Sequence, residues 1–423
     1  MTARVVSSSE VENVQGKFSI TMRKFSADYV FPISGAPIPN GVVTIDDDGT
    51  IVDVSSALEA QHASSNIQQL KGILCPGFVN THCHLELSHL RAQVSENKGM
   101  TGFITELIGK RGNFSEEEIQ QKIATAEQEM ICNGIVAVGD ISNNNSTFKQ
   151  KAKGNIAYHT FIEIFSMDPS KAEQVYLAGK KLEEELIQNN QASTISNHTS
   201  VSPHAPYTMS VELLNLINED AKKNKNIITI HNQESEGENQ LFESNSGVMY
   251  ETFKAMGINP AFMRKTGQNA LASTLPYLKD AKKILLVHNT FTSKKDMDFI
   301  HSTFNNHQST IYFCTCPNAN IYIENKLPNY QLFITEHCKV TIGTDSLASN
   351  WSLSVLDELK TISNHHPEIE LNTLLTWATK NGAEFLEFNQ LGTLEKGKKP
   401  GLNLLKNTDG MRLTEKTNVL KIV

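Results

Sequence analysis

His82 and His84 stand two residues apart at the end of PGFVNTHCHLELSHL (76–90), and Glu86 follows two further on. In an extended chain the side chains at i and i+2 point the same way. Both imidazoles therefore aim at one spot, while Cys83 faces the other side. The apolar lead-in of Ile73, Leu74, Phe78 and Val79 reads as a buried strand that ends in metal-binding side chains. The pattern recurs. His204 in SPHAPYT, His231 and Glu234 in IHNQE, His288 in VHNT and Asp345 in IGTDS each close an apolar run. One such histidine is ordinarily a hydrogen-bonded core or rim residue. Five at the ends of apolar runs point to a site that holds a divalent ion, because imidazole and carboxylate without thiolate suit Zn²⁺ or Fe²⁺.

For these residues to meet, the elements carrying them must end at one place. Apolar runs fall at 73–80, 134–141, 156–165, 199–204, 227–231, 284–288, 310–316 and 340–345, and helix-like stretches such as SEEEIQQKIATAEQEMI separate most of them. Eight strands alternating with helices imply parallel pairing and a (β/α)8 TIM barrel of the α/β class, whose strand C-termini share one mouth. A doubly wound open sheet is the other arrangement this alternation allows. Short β-rich runs with Pro-Asn-Gly and Asp-Gly turns occupy 27–55, and similar character returns in LGTLEKGKKPGLNLL and NVLKIV. The expected division is residues 1–75 and 389–423 as the two parts of a small β-sandwich, with the barrel at 76–388. Residues 1–20 read as a loose tail. The long excursion 235–275 reads either as a cover over the mouth or as an ordinary helix with insertions.

Composition narrows the class of partner. The 423 residues carry 38 Lys+Arg against 46 Asp+Glu, a net charge of -8, which argues against nucleic acid. No run approaches the length of a membrane span, and MTARVVSSSEVENV lacks the apolar core of a secretion signal. Six scattered cysteines, including the Cys314–Cys316 pair, read as free core thiols in a reducing compartment, so a cytoplasmic location is expected. A homodimer is the default expectation.

Taken together and in this order, PGFVNTHCH, IHNQE, VHNT and IGTDS resemble the amidohydrolase superfamily across nearly the whole chain, flanking β segments included. The segments TSVSPHAPYT and NIAYHTFIEIF contain no lysine of the kind that bridges two metals in other members. The resemblance is therefore to the mononuclear aminohydrolases, which deaminate heterocycles. It implies one divalent metal, zinc ahead of iron or manganese, held by His82, His84, His231 and Asp345. It further implies that Glu234 relays a proton from water to a ring nitrogen, that Asp345 orients the water and accepts its second proton, and that His288 polarises the nascent oxygen. His204 is the expected ribose contact. Glu86, Asn318, Asn320 and Trp351 are candidate substrate contacts, although each also reads as a structural residue: Glu86 paired with Arg91, the asparagines capping a loop, and Trp351 in apolar packing. HLELS, SPHAPY, HNQES, CPNAN and TDSLASNWSL together are most similar to the aminodeoxyfutalosine deaminases of menaquinone synthesis. Ser346 stands where many relatives have glycine. Deaminases of S-adenosylhomocysteine and methylthioadenosine share most of these motifs. Guanine or another amidine, a cyclic-amide hydrolase, and a barrel that only binds are the remaining readings.

Overall fold

A computed structural model describes residues 22–56, 66–191, 195, 197–304 and 309–423; the expected tail at 1–20 lies outside them. Eight parallel strands form the barrel: β1 Phe78–Cys83, β2 Ile135–Ser142, β3 Ala157–Ile164, β4 His198–Pro203, β5 Ile227–Asn232, β6 Lys283–His288, β7 Thr310–Thr315 and β8 Lys339–Ile342. They pair as two parallel sheets of four, β1 to β4 and β5 to β8. The sheets meet at two seams. At one, the amides of Thr344 and Asp345 both donate to the His82 carbonyl at 3.0 Å. At the other, the His231 amide donates to the His204 carbonyl at 2.9 Å. Both seams thus fall on residues that the sequence marks as chemical.

Helices cover the outside of the barrel, each started by local signals. Ser115 and Glu118 form a reciprocal capping box on Glu116–Cys132, and Ser210 caps Val211–Asn224. Their apolar faces bury Ile123, Met130, Leu213, Leu214 and Ile217 against the strands.

The chain ends build a small β unit of two sheets. One runs Ile51–Ser55, Val42–Ile45, Arg23–Ser26, Ile67–Gln69; the other runs Asn418–Lys421, Leu402–Lys406, Ile73–Pro76, Tyr29–Val30, Ile38–Pro39. Phe25, Val43, Ile45, Leu74 and Leu404 share its core. The apolar run 73–80, expected as one barrel strand, is two: Ile73–Pro76 belongs to this unit and β1 begins after it. Gly77 makes the crossing possible. A Cβ there would lie 2.4 Å from a Val136 methyl and 2.7 Å from the Pro400 carbonyl.

The excursion after β5 is helical: Glu236–Ser244, Gly247–Ala255 and Ala270–Thr274. Leu241, Phe242, Met249 and Phe253 pack with Ala205, Tyr207 and Met100 in one apolar cluster, which seats these helices on the loops at the barrel mouth. All six cysteines are free. No helix among the described residues is long and apolar enough to cross a membrane.

Candidate metal and active site

His82 and His84 project together at the end of β1, where the strand is irregular. Its register against β2 shifts between Asn80 and Cys83. Gly343 lets β8 approach at this point: a Cβ there would lie 2.8 Å from the His82 Cβ and 2.8 Å from the Cys314 Sγ. Two further site residues, His288 (φ 73°) and Asp345 (φ 56°), occupy the left-handed region, which side chains other than glycine's visit at a cost. The surrounding hydrogen bonds hold this strain in place, and it turns both side chains into the mouth.

Four donors converge. His84 Nε2 lies 3.3 Å from His231 Nε2 and 3.5 Å from Asp345 Oδ1, and His82 Nε2 lies 3.6 Å from the same oxygen. His82, His84 and His231 form one group of ligand atoms within 4.8 Å of one another; His82, His288 and Asp345 form a second. His231 Nδ1 donates to the His204 carbonyl at 2.7 Å, so its Nε2 presents a lone pair. Both ring nitrogens of the buried His82 lack a hydrogen-bond partner. Wherever no proton lies between these close atoms their lone pairs repel, and a cation among them would relieve that cost. Donors at ~2.05 Å around a tetrahedral zinc lie about 3.3 Å apart, matching the shortest separations here. The residues present therefore fit a divalent ion. A third group, Glu163, His204 and His231, is as compact. There, however, His231 would have to offer the nitrogen already donating to a carbonyl.

Electrostatics favour the same assignment. Burial pushes the His84 imidazole down to about 3 and those of His204 and His288 to about 4, and it carries His231 well below the usual range. Neutral rings are the ligand form. Burial acts to raise the Asp345 carboxyl, but its contacts with His82, His84 and His288 outweigh it and hold it below the usual carboxylate range. Ser349 Oγ donates to its other oxygen at 2.6 Å. Glu234 is the opposite case. Burial, reinforced by Asp345 and Glu238, holds its carboxyl well above the usual range. Its Oε1 lies 3.4 Å from His288 Nε2. The backbone that presents it is gripped by Glu238, which accepts from the amides of Gln233 at 3.0 Å and Glu234 at 3.2 Å. A buried carboxylic acid beside a neutral imidazole is a proton-transfer pair.

The remaining expected contacts divide. Glu86 and His204 border the site. Glu86 does not pair with Arg91, which binds Glu129 instead; it accepts from the Asn143 amide at 3.1 Å. His204 Nδ1 lies 2.9 Å from Thr208 Oγ1. Asn320 is bound to the site itself: its Oδ1 accepts from His288 Nδ1 at 2.9 Å and so turns Nε2 toward Glu234. Asn318 is turned away, its Oδ1 accepting from Thr361 and its amide donating to Glu358, as a buried residue closing a helix start. Trp351 is half exposed, with its indole N–H donating to Glu96 at 2.9 Å. Partners on distant segments (Thr361 and Glu358 on the helix Val355–His365, His288 on β6 and Glu96 on a loop) claimed these groups, which spacing in sequence cannot show.

Glu163, Asn143 and Phe165 were not singled out from the sequence. Asn143 Nδ2 donates to Glu163 Oε2 at 2.9 Å and its backbone N–H to Glu86 Oε2 at 3.1 Å, tying the carboxyls of Glu86 and Glu163 to one residue. Burial raises them to about 8 and about 7. Both line a cleft of about 700 Å³ that Leu87, Ile119, Val175 and Leu182 flank and Arg111 borders. Phe165, 51% exposed, stands on its rim 5.7 Å from the His204 ring. The one available signal was a carboxylate inside the otherwise apolar run FIEIF.

The amidohydrolase family model matches residues 73–423. A curated adenosine deaminase from Helicobacter pylori is 26% identical over 340 residues, 78% of this chain and 78% of its own. A 5-methylthioadenosine/S-adenosylhomocysteine deaminase from Bacillus cytotoxicus is 25% identical over 378 residues, 85% of this chain and 79% of its own. Among solved structures, the aminofutalosine deaminase of Helicobacter pylori in complex with methylthio-coformycin aligns with a TM-score of 0.78 at 23% identity, covering 93% of each chain.

Proposed function

The chain belongs to the amidohydrolase family, hydrolases of carbon–nitrogen bonds, and from that premise we propose that it deaminates an adenine-type nucleoside with release of ammonia. The observation that carries this reading is the buried Glu234–His288 pair set beside four convergent lone-pair donors. His82, His84, His231 and Asp345 would hold the ion, which we take to be zinc. When bound, such an ion supplies water acidified to near neutrality. Passing its own proton to His288 Nε2 would leave Glu234 ionised, free to take a proton from that water and deliver it to the ring nitrogen next to the amino-bearing carbon. His288, held at Nδ1 by Asn320 and protonated at Nε2 by that transfer, would donate from Nε2 toward the oxygen as the carbon becomes tetrahedral. Asp345 would take the second proton and hand it to the amine, which leaves as ammonia.

The cleft supports a nucleoside with a large substituent over a free base. Its volume suits a whole nucleoside and more. Glu86 and Glu163 offer acceptors for hydroxyls, and the apolar flank offers room for a less polar group. We take 6-amino-6-deoxyfutalosine as the first substrate to test, with methylthioadenosine and S-adenosylhomocysteine as the second reading that the Bacillus relative favours. The experiment is ammonia release and the purine absorbance change on zinc-loaded enzyme. The panel is these three compounds with adenosine, guanine, cytosine and a cyclic amide. At least tenfold preference for aminodeoxyfutalosine supports the first reading and a role in menaquinone synthesis. Preference for a sulfur nucleoside selects the second. Ring opening without ammonia overturns deamination.

A further inference from the structure

Lys151 and Asp140 form an ion pair at 2.6 Å with both side chains fully buried. Burying two charges costs several kcal/mol per ion in order-of-magnitude terms, and an apolar pair of similar volume is often at least as stable. The position of Asp140 supplies a reason for keeping this one. In the β1–β2 ladder Asp140 is the register partner of Cys83, and its Oδ1 accepts from the Leu85 amide at 2.8 Å. One residue thus grips the chain on both sides of His84, just where the ladder register is broken. Lys151 faces the other oxygen of Asp140, is held by Ser142 Oγ at 3.0 Å, and lies 5.4 Å from the centre of the Tyr158 ring. The contact leaves the Asp140 Oδ1 pointed at the Leu85 amide.

We propose that Asp140 and Lys151 are positioning residues for the metal site: the pair fixes the turn that presents His84, and so sets the affinity of the site for its ion. The inference rests on His84 being a ligand. The test is zinc affinity, measured by competition with a chromophoric chelator, together with the thermal midpoint of the metal-free protein. The variants are Lys151→Met, the double variant Asp140→Leu/Lys151→Met, and Tyr158→Phe. Tyr158→Phe removes only the hydrogen bond from Tyr158 to Glu127 in the same buried region. Lys151→Met should weaken zinc binding about 10- to 100-fold. The double variant removes both charges, so its metal-free midpoint should return toward that of the parent while its zinc affinity stays as low as that of Lys151→Met. Tyr158→Phe should bind zinc like the parent. Parent-like affinity in the double variant overturns the proposal, as does an equal loss in Tyr158→Phe. Should Lys151→Met not fold, the double variant decides alone. A parent chain that takes up no zinc fails at the ligand assignment instead, before any variant is compared.

Discussion

At the scale of single residues, the site works by giving chemically similar groups opposite protonation states. Asp345 sits among imidazoles and stays ionised; Glu234 sits among carboxylates and apolar walls and holds its proton. Glu234→Gln keeps the shape and removes the relay. It should lower kcat by roughly 10²- to 10⁴-fold while metal content is unchanged. Activity above a tenth of the parent would exclude the role. His231→Ala removes a ligand from the convergent set, and metal analysis should find the ion lost; full occupancy would mean a different set of ligands. Asn320→Ala frees His288 to turn. Since a misplaced group costs about 10- to 100-fold, kcat should fall by that much with KM moving far less. A purely KM effect would return Asn320 to the substrate contacts. The convergent histidines, Asp345 and Glu234 were legible because their spacing is local and their types are rare in apolar runs. The bond between Asn320 and His288 was not, because Asn320 lies on the helix Pro317–Glu324 and its partner ends β6, 32 residues away.

At the scale of elements, each strand delivers its chemistry at its C-terminal end and its packing below. His159, in the body of β3, illustrates the lower part: buried, stacked on Phe161 with ring centres 4.5 Å apart, and 3.1 Å from Ser200 Oγ. Burial holds its imidazole well below the ordinary histidine range. The unfolded chain accepts a proton near pH 6.5 that the folded chain refuses. Above that pH the group has no effect on the balance, and below it stability is lost as pH falls. His159→Gln cannot titrate. Its thermal midpoint should therefore drop less than that of the parent between pH 7 and pH 5, whatever its value at pH 7. Equal drops would show that His159 plays no part in acid sensitivity. The existence and parallel sense of the strands followed from periodicity. The break at Gly77 did not: Ile73–Pro76 and β1 are both fully buried and read as one run, and only contact with Val136 and Pro400 separates them.

At the scale of the whole molecule, closing the barrel creates the site. The seam between β8 and β1 brings Asp345 to His82, and the seam between β4 and β5 brings His231 to His204. An ion bound there ties the two four-stranded halves together, so its removal should loosen the whole fold. By mass action an ion at a hundredfold excess over its Kd adds ~2.7 kcal/mol, or about 3 °C for a chain of this length. Chelation should lower the thermal midpoint by that order, and zinc should restore it. An unchanged midpoint would indicate that the ion does not bridge the seams.

The sequence by itself determined the alternation of strands and helices, the β-rich ends and the donors at strand ends. These are local patterns of hydrophobicity and residue type, and a parallel barrel has one mouth to which all its strand ends must go. Tertiary structure decided the rest. It split an apolar run between two sheets, turned Asn318 and Trp351 to partners of their own, gave Asn320 to His288, and set Glu163 and Glu86 on the wall of a cleft. It also placed Asp140 and Lys151 behind His84. Each of these depends on which side chain from a distant segment reaches a polar group first, and that is a matter of packing distance, which spacing along the chain does not contain.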